Sequence, residues 1–320
     1  MHIRHGTGNT PQQGVALVTA LLVVALATVA SVGMATRLHV DVRRSANLIH
    51  GEQSYAYALA AESWAQVILR RDANDSTYDA LDEDWASALP PIPVEGGFVS
   101  GHVSDLQGRF NVNNLVGVDG RPDTGSIDYF KRLLTLLELD PELATTLLDW
   151  IDADINATFP GGAEDDTYLL ADPPYRAANR RLVSISELRL VQGFTDDVMK
   201  VLTPYVTALP DVTTININTA TAEVLLALHE NMTAQGVEML LADREQEPFA
   251  DKSAFLAHDA LAGLGIEPGS VDVSSHWFLV LTDVSVGVGK AQLESVLERD
   301  DKNLRVVSRT RLTAFIQPGG

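Results

Sequence analysis

Between Asp149 and Asp172 the chain carries seven acidic side chains and no basic one. They lie in the segment DWIDADINATFPGGAEDDTYLLADPPYRAAN, which ends at Asn179. Asp152, Asp154 and Asn156 alternate, a spacing that lets a turning backbone aim several oxygens at one point. Glu164, Asp165 and Asp166 add a second group beyond the turn at Pro160-Gly161-Gly162. Carboxylates packed this closely repel one another unless they are solvated, protonated or neutralised by a cation. Oxygen donors without sulfur or imidazole favour calcium over zinc. The segment is not an EF-hand: with Asp152 first, the sixth residue is Ala157 rather than Gly, and the twelfth is Ala163 rather than Glu. Its spacing alone leaves two readings open, a hydrated acidic loop and a cation-binding loop.

Two separated carboxylates also describe a glycosidase. Such clefts bring aromatic platforms, yet aromatics are only 6% of this chain, and it has no Gly-x-Ser-x-Gly elbow or P-loop. The reading is therefore non-enzymatic. The eight histidines are dispersed and cysteine is absent, which argues against a zinc site and excludes disulfides. Forty-three acidic against 23 basic residues leave a formal charge of −20, a surface that repels phosphate backbones.

A second motif is an approximate internal repeat. FNVNNL at 110–115 and ININTA at 215–220 each precede a pair of helix-like stretches, with Asn218 placed to cap a helix over Ala220–Leu228. The ININTA half resembles helix-hairpin-helix modules that hold a DNA phosphate on hairpin amides. Here the hairpin reads HENMTAQG and lacks the Pro-Gly-Ile-Gly pattern. Residues 211–270 hold two basic side chains, Arg244 and Lys252, against ten acidic ones. No nucleic acid is expected, and a membrane-anchored helix-hairpin-helix DNA-binding protein is the alternative reading.

The elements that must position these motifs begin with an anchor. Residues 1–14 are polar, and the 22 residues from Val15 to Thr36 are uncharged and rich in Val, Leu and Ala. As a helix that run spans roughly 33 Å, enough to cross a bilayer core. It continues without a break, and Tyr57, Ala61, Trp64 and Ile68 form a stripe at helical period, with Arg43, Arg44, Glu52, Glu62 and Arg70 at solvated positions. Residues 73–97 read as loop. Strands are expected over Phe98–Asp105, Arg109–Val112, His276–Val286, Ala291–Arg299 and Leu304–Phe315, the last three as an antiparallel meander. Between them, 114–275 is helix-rich.

A polar leader meeting an apolar helix at Gly14 resembles the type IV prepilin class, in which a dedicated peptidase cuts after glycine and methylates the new amine. Here that gives processing at Gly14 with Val15 as the new terminus. The usual Glu at the fifth mature position is Thr19. This departure, together with QQGVALVTALLVVALAT, EQSYAYALAAESWAQVIL, the helical insert and the D-W-x-D-x-D … G-A-E-D … P-P-Y-R-x-x-N pattern, resembles the GspK-type minor pseudopilins of type II secretion systems over essentially the whole chain.

The resemblance implies an α+β fold, a pilin-like long N-terminal helix packed on an antiparallel sheet, with a large all-α insertion. The corresponding segments are a leader over 1–14, a transmembrane half-helix over 15–36, pilin-like parts over 37–113 and 276–320, and the insertion over 114–275. It implies bound Ca²⁺, with Asp152, Asp154, Glu164 and Asp165 as side-chain ligands and Asn156, Asp166 and Asn179 around them; Arg176 is expected to pair with a carboxylate. The implied role is a subunit at the pseudopilus tip that nucleates assembly and supports export of folded proteins. Its implied partners are the I- and J-type minor pseudopilins, the prepilin peptidase and the bacterial inner membrane, with the globular domain in the periplasm.

Overall fold

The computed structural model describes residues 13–301 and 303–312. The leader expected over 1–14 therefore lies almost wholly outside the described residues. Helix α1 runs unbroken from Gln13–Asp75, 63 residues, or roughly 95 Å. Its first part, from Val15 to Thr36, is apolar and exposed all round. A helix with that composition and no neighbour in its own fold is suited to lipid or to other helices.

After α1 a short helical turn at Asp84–Ala86 sets Trp85 in the core. Strands β1 (Leu89–Val94) and β2 (Gly97–Asp105) follow. The chain then leaves the sheet through β3 (Phe110–Asn111), α2 (Thr124–Leu136), α3 (Leu143–Ile151), α4 (Asp165–Tyr168), α5 (Asp196–Leu202) and β4 (Val206–Thr207). It continues through β5 (Ile215–Asn216), α6 (Ala222–Leu226), α7 (Ala234–Gln246), α8 (Lys252–Leu256) and β6 (Val271–Asp272). It returns as β7 (Trp277–Val286), β8 (Gly289–Asp300) and β9 (Asn303–Leu312).

The five-stranded sheet has the order β1-β2-β7-β8-β9 and is antiparallel throughout. Asp105 at the end of β2 pairs with Phe278 near the start of β7, so the exit and re-entry points of the insert are neighbours. That adjacency is why a long excursion leaves the sheet intact. The α+β class and the spine-on-sheet arrangement match expectation. One correction concerns 73–97: Leu89–Val94 is an edge strand, not loop. Pro90, Pro91 and Pro93 lack ladder donors, which an edge position tolerates and a central one does not.

Another correction concerns the buried stripe of α1. Ser54, Ala58, Glu62, Ala65 and Leu69 face the sheet, one step round from the expected stripe, and Trp64 stays 44% exposed. Small Ala58 and Ala65 let the helix lie close on Val284, Ala291 and Phe278. Glu62, expected in solvent, is buried because Arg309 of β9 and Ser295 of β8 meet its carboxylate.

The insert has its own core. Phe110 stacks on Tyr129 and Phe130 at 4.7 and 5.4 Å, amid Val112, Leu133, Leu147, Val224 and Phe255. The strand expected over Arg109–Val112 thus belongs to this core, where β3 pairs parallel with β4 as β5 does with β6. The repeat is visible as chemistry. The Asn111 and Asn216 side-chain oxygens accept the N–H of Asn113 and Asn218, two residues on, in the same way. Asn218 does not cap α6; its amide bridges the N–H and carbonyl of Phe249, and Thr221 stands at the cap.

Candidate functional site: an acidic loop at the end of α3

Helix α3 ends where Asp152 turns extended, its N–H still bonded to the Leu148 carbonyl. One turn earlier Asp149, fully buried, accepts the Thr158 N–H on Oδ2 at 2.9 Å and so folds the loop back on the helix. Gly162 closes that fold: a Cβ there would overlap the Asp149 carboxylate and the Thr158 backbone, so the close approach requires glycine. Glu164, just before α4, then returns to the start of the loop.

The result is convergence. Asp152, Asp154 and Glu164 each offer a carboxylate oxygen, all within 4.8 Å of one another. Asp149 Oδ1, Asp152 Oδ1, both oxygens of Glu164 and Asn179 Oδ1 are buried and have no donor among the described residues. Asn179, in the left-handed region at φ 45°, donates its amide to the Asp154 carbonyl at 2.9 Å. Buried oxygens without donors are costly unless a cation or water meets them. A set made entirely of oxygens, with two buried carboxylates, fits a calcium-class ion.

The other candidates are placed differently. Asp165 is committed to Arg176 (Oδ2, 2.8 Å) and to the Ala177 N–H (Oδ1, 3.0 Å), which fastens the loop's return and gives Arg176 its expected carboxylate. Asn156 donates both its backbone N–H and its side-chain amide to Asp154 Oδ1, fixing that carboxylate rather than joining the three-carboxylate group. Asp166 is exposed. Asp149 was outside the expected ligand set. Its signal was its i, i+3 spacing to Asp152, which puts both on one face as the helix ends.

Burial, and then the neighbouring Asp154 and Asp149, push Asp152 up to about 6. Burial, and then Asp149, Asp152 and nearby carboxylates, push Glu164 up to about 7. Carboxyls raised above their unfolded values stabilise the fold while protonated, and that contribution is lost as pH rises through about 6 to 7. Without divalent cations the melting temperature is therefore expected to fall between pH 5 and pH 8, and saturating Ca²⁺ should flatten the fall, because the ion binds the ionised form. Thermal melts at several pH values, with Ca²⁺ and with chelator, check this; equal slopes would count against a cation loop.

The segment that resembles a helix-hairpin-helix folds as α6 and α7, and the one basic side chain of these two helices is already used. Arg244 donates to the carbonyls of Ile217 and Ala220, both at 2.7 Å, inside the insert. At the other end of the chain the Thr19 hydroxyl donates to the Val15 and Ala16 carbonyls, both at 3.0 Å, so its polar group is satisfied within its own helix. That makes the apolar segment of α1 from Val15 to Thr36 a helix that could serve as a membrane anchor.

Comparison with known proteins agrees with this architecture. Two family models, both described as Type II secretion system protein K, match residues 108–211 and 215–274, dividing the insert where its repeat divides. Type II secretion system protein K of Pseudomonas aeruginosa is 39% identical over 313 residues, covering 93% of this chain and 92% of its own. That of Aeromonas hydrophila is 33% identical over 319 residues, covering 93% and 96%. The crystal structure of the GspK-GspI-GspJ complex from enterotoxigenic Escherichia coli contains a chain that superimposes with a TM-score of 0.76 at 26% identity, covering 85% of this chain and 100% of that one. A spine helix on an antiparallel sheet, an insert between paired strand ends and these matches together place the chain in the type II secretion system protein K family, as a minor pseudopilin that is a structural component of the secretion apparatus and not an enzyme.

Proposed function

We propose that this chain caps the tip of the type II secretion pseudopilus, where it nucleates assembly with I- and J-type minor pseudopilins and supports export of folded proteins. The observation that carries this is the position of the insert. It leaves the sheet at Asp105 and Trp277, beside the cluster that holds Leu69, whereas the opposite strand ends pack nearer Ala58. The insert thus stands at the end of α1 remote from the apolar anchor. In a filament of parallel spines that is the space a further subunit would occupy. Thr19 supports the same reading. It supplies no carboxylate to a neighbour's amine, while the Val15 amine can still meet another subunit's Glu.

In this reading the prepilin peptidase cuts after Gly14 and methylates Val15, the half-helix 15–36 sits in the inner membrane, and the rest is periplasmic. The exposed side of α1 from Val42 to Ile68 meets the partner spines. The acidic loop binds Ca²⁺ through Asp152, Asp154 and Glu164, with Asn179 and Asp149 completing the donor set; the orphaned oxygens support that assignment. Quantitative mass spectrometry of sheared pseudopili tests the tip position. We expect this chain at a small fraction of the major subunit, in fixed proportion to the I- and J-type partners. Amounts that rise with filament length would overturn it.

A further inference from the structure

We propose that Asp72, Asp79 and Glu83 form a second site for a hard divalent cation, at the joint between the spine helix and the insert. Asp72 lies in the last turn of α1, Asp79 in the loop beyond it, and Glu83 just before the Asp84–Ala86 turn. Each offers a carboxylate oxygen, and these three lie within 4.8 Å of one another. The cluster shares no residue with the acidic loop.

The compensation already in place falls short. Arg299 on β8 donates to Asp72 Oδ2 at 3.3 Å and to Asp79 Oδ2. The Ser275 N–H also goes to Asp79 Oδ2, at 2.7 Å. Glu83 Oε2 accepts the Ala80 N–H and the Trp85 indole N–H at 2.8 and 2.9 Å. One guanidinium facing three carboxylates leaves a formal charge of −2. Asp79 is 1% exposed, yet its Oδ1 has no donor among the described residues. A buried carboxylate oxygen left bare beside two other carboxylates calls for a positive partner, which a bound cation supplies at neutral pH.

The donor chemistry selects the class of ion. Oxygen ligands alone favour Ca²⁺ or Mg²⁺, and a shell of three carboxylates from a helix end and the chain beyond it suits the flexible geometry of Ca²⁺ better than octahedral Mg²⁺. A cleft of about 170 Å³ bordered by Asp72, Asp79, Ser275 and Arg299 leaves room for waters to complete the shell. The site also has structural reach. The Asp79 N–H donates to the Val273 carbonyl at 2.8 Å, and the Asp79 carbonyl accepts from Asn216 at 3.0 Å, both in the insert. An ion on Asp79 would tie the end of the spine, the sheet and the insert together, fixing how the insert stands above the spine.

The test uses the full chain in detergent with the loop disabled by Asp152→Asn and Glu164→Gln. Equilibrium dialysis with radioactive Ca²⁺ should show one ion retained. Adding Asp72→Asn and Glu83→Gln should weaken its binding by about tenfold or more, since affinity follows ligand charge. The same pair of substitutions in the wild-type loop background should remove one ion and keep the loop's own, which also shows that the fold survives. If the pair impairs folding, Asp72→Asn alone repeats the measurement. Excess Mg²⁺ as competitor distinguishes the two ions. No ion retained by the loop-disabled chain, or equal retention with and without the junction substitutions, would overturn the proposal.

Discussion

Chelating divalent cations should lower the melting temperature of this protein by about 4 °C. An ion that binds only the folded state stabilises it by about 2.7 kcal/mol at a hundredfold excess over its dissociation constant. For a chain of this size each kcal/mol is worth about 1.5 °C. The effect should be large here because the loop closes on like charges. Without a cation, the ionised carboxylates of Asp152, Asp154 and Glu164 must stay within 4.8 Å of one another, and the loop that brings them together also carries Tyr168 and Tyr175 onto Trp150. Glu164→Ala removes one converging carboxylate and should abolish most of the chelator-dependent shift. Asp259→Ala, at an exposed position outside the loop, should leave the shift intact. Differential scanning fluorimetry with and without chelator reads both; a wild-type melting temperature indifferent to chelator would refute calcium in the loop.

Arg309→Met should cost about 3 kcal/mol, the lower end of the range for breaking a buried pair, because the Arg309 side chain is 38% exposed while that of Glu62 is 3%. Arg309 donates Nε and Nη2 to the two oxygens of Glu62, each at 2.7 Å, and Ser295 Oγ adds a third bond. Removing the arginine strands a carboxylate between α1 and the sheet. Removing both charges should be much milder, so Glu62→Leu with Arg309→Met should recover most of the loss in urea denaturation. If the double variant is as unstable as the single one, the pair is not what holds the spine to β9. The pH dependence has a definite sign. Burial pushes the Glu62 carboxyl up, but Arg309 and Ser295 outweigh it and hold it below the ordinary value. Its contribution is therefore present above the ordinary glutamate range and is lost only as pH falls below it.

What could be read from the chain alone was local in its physics. The anchor needs nothing beyond a contiguous apolar run, the last three strands announce themselves by period-two alternation, and the acidic loop is dense enough in charge to ask for a cation wherever it folds. The resemblance carried by Gly14, Thr19 and the acidic pattern then supplied the family. Tertiary structure decided everything that depends on which distant residue arrives. LPPIPV became a strand because β2 offered it an edge. The buried seam of α1 moved by one step because small Ala58 and Ala65 fit the sheet where Trp64 would not. Glu62 could be buried only because Arg309, 247 positions on, reaches it. Asp165, a ligand in what the resemblance implies, accepts from Arg176, while Asp149 shares a helix face with Asp152 by its spacing and Asn179 reaches the loop only through the fold. Charge and hydropathy are properties of a segment and survive in the sequence. Pairing, burial and convergence are properties of contacts across hundreds of positions, and they exist only once the chain has closed on itself.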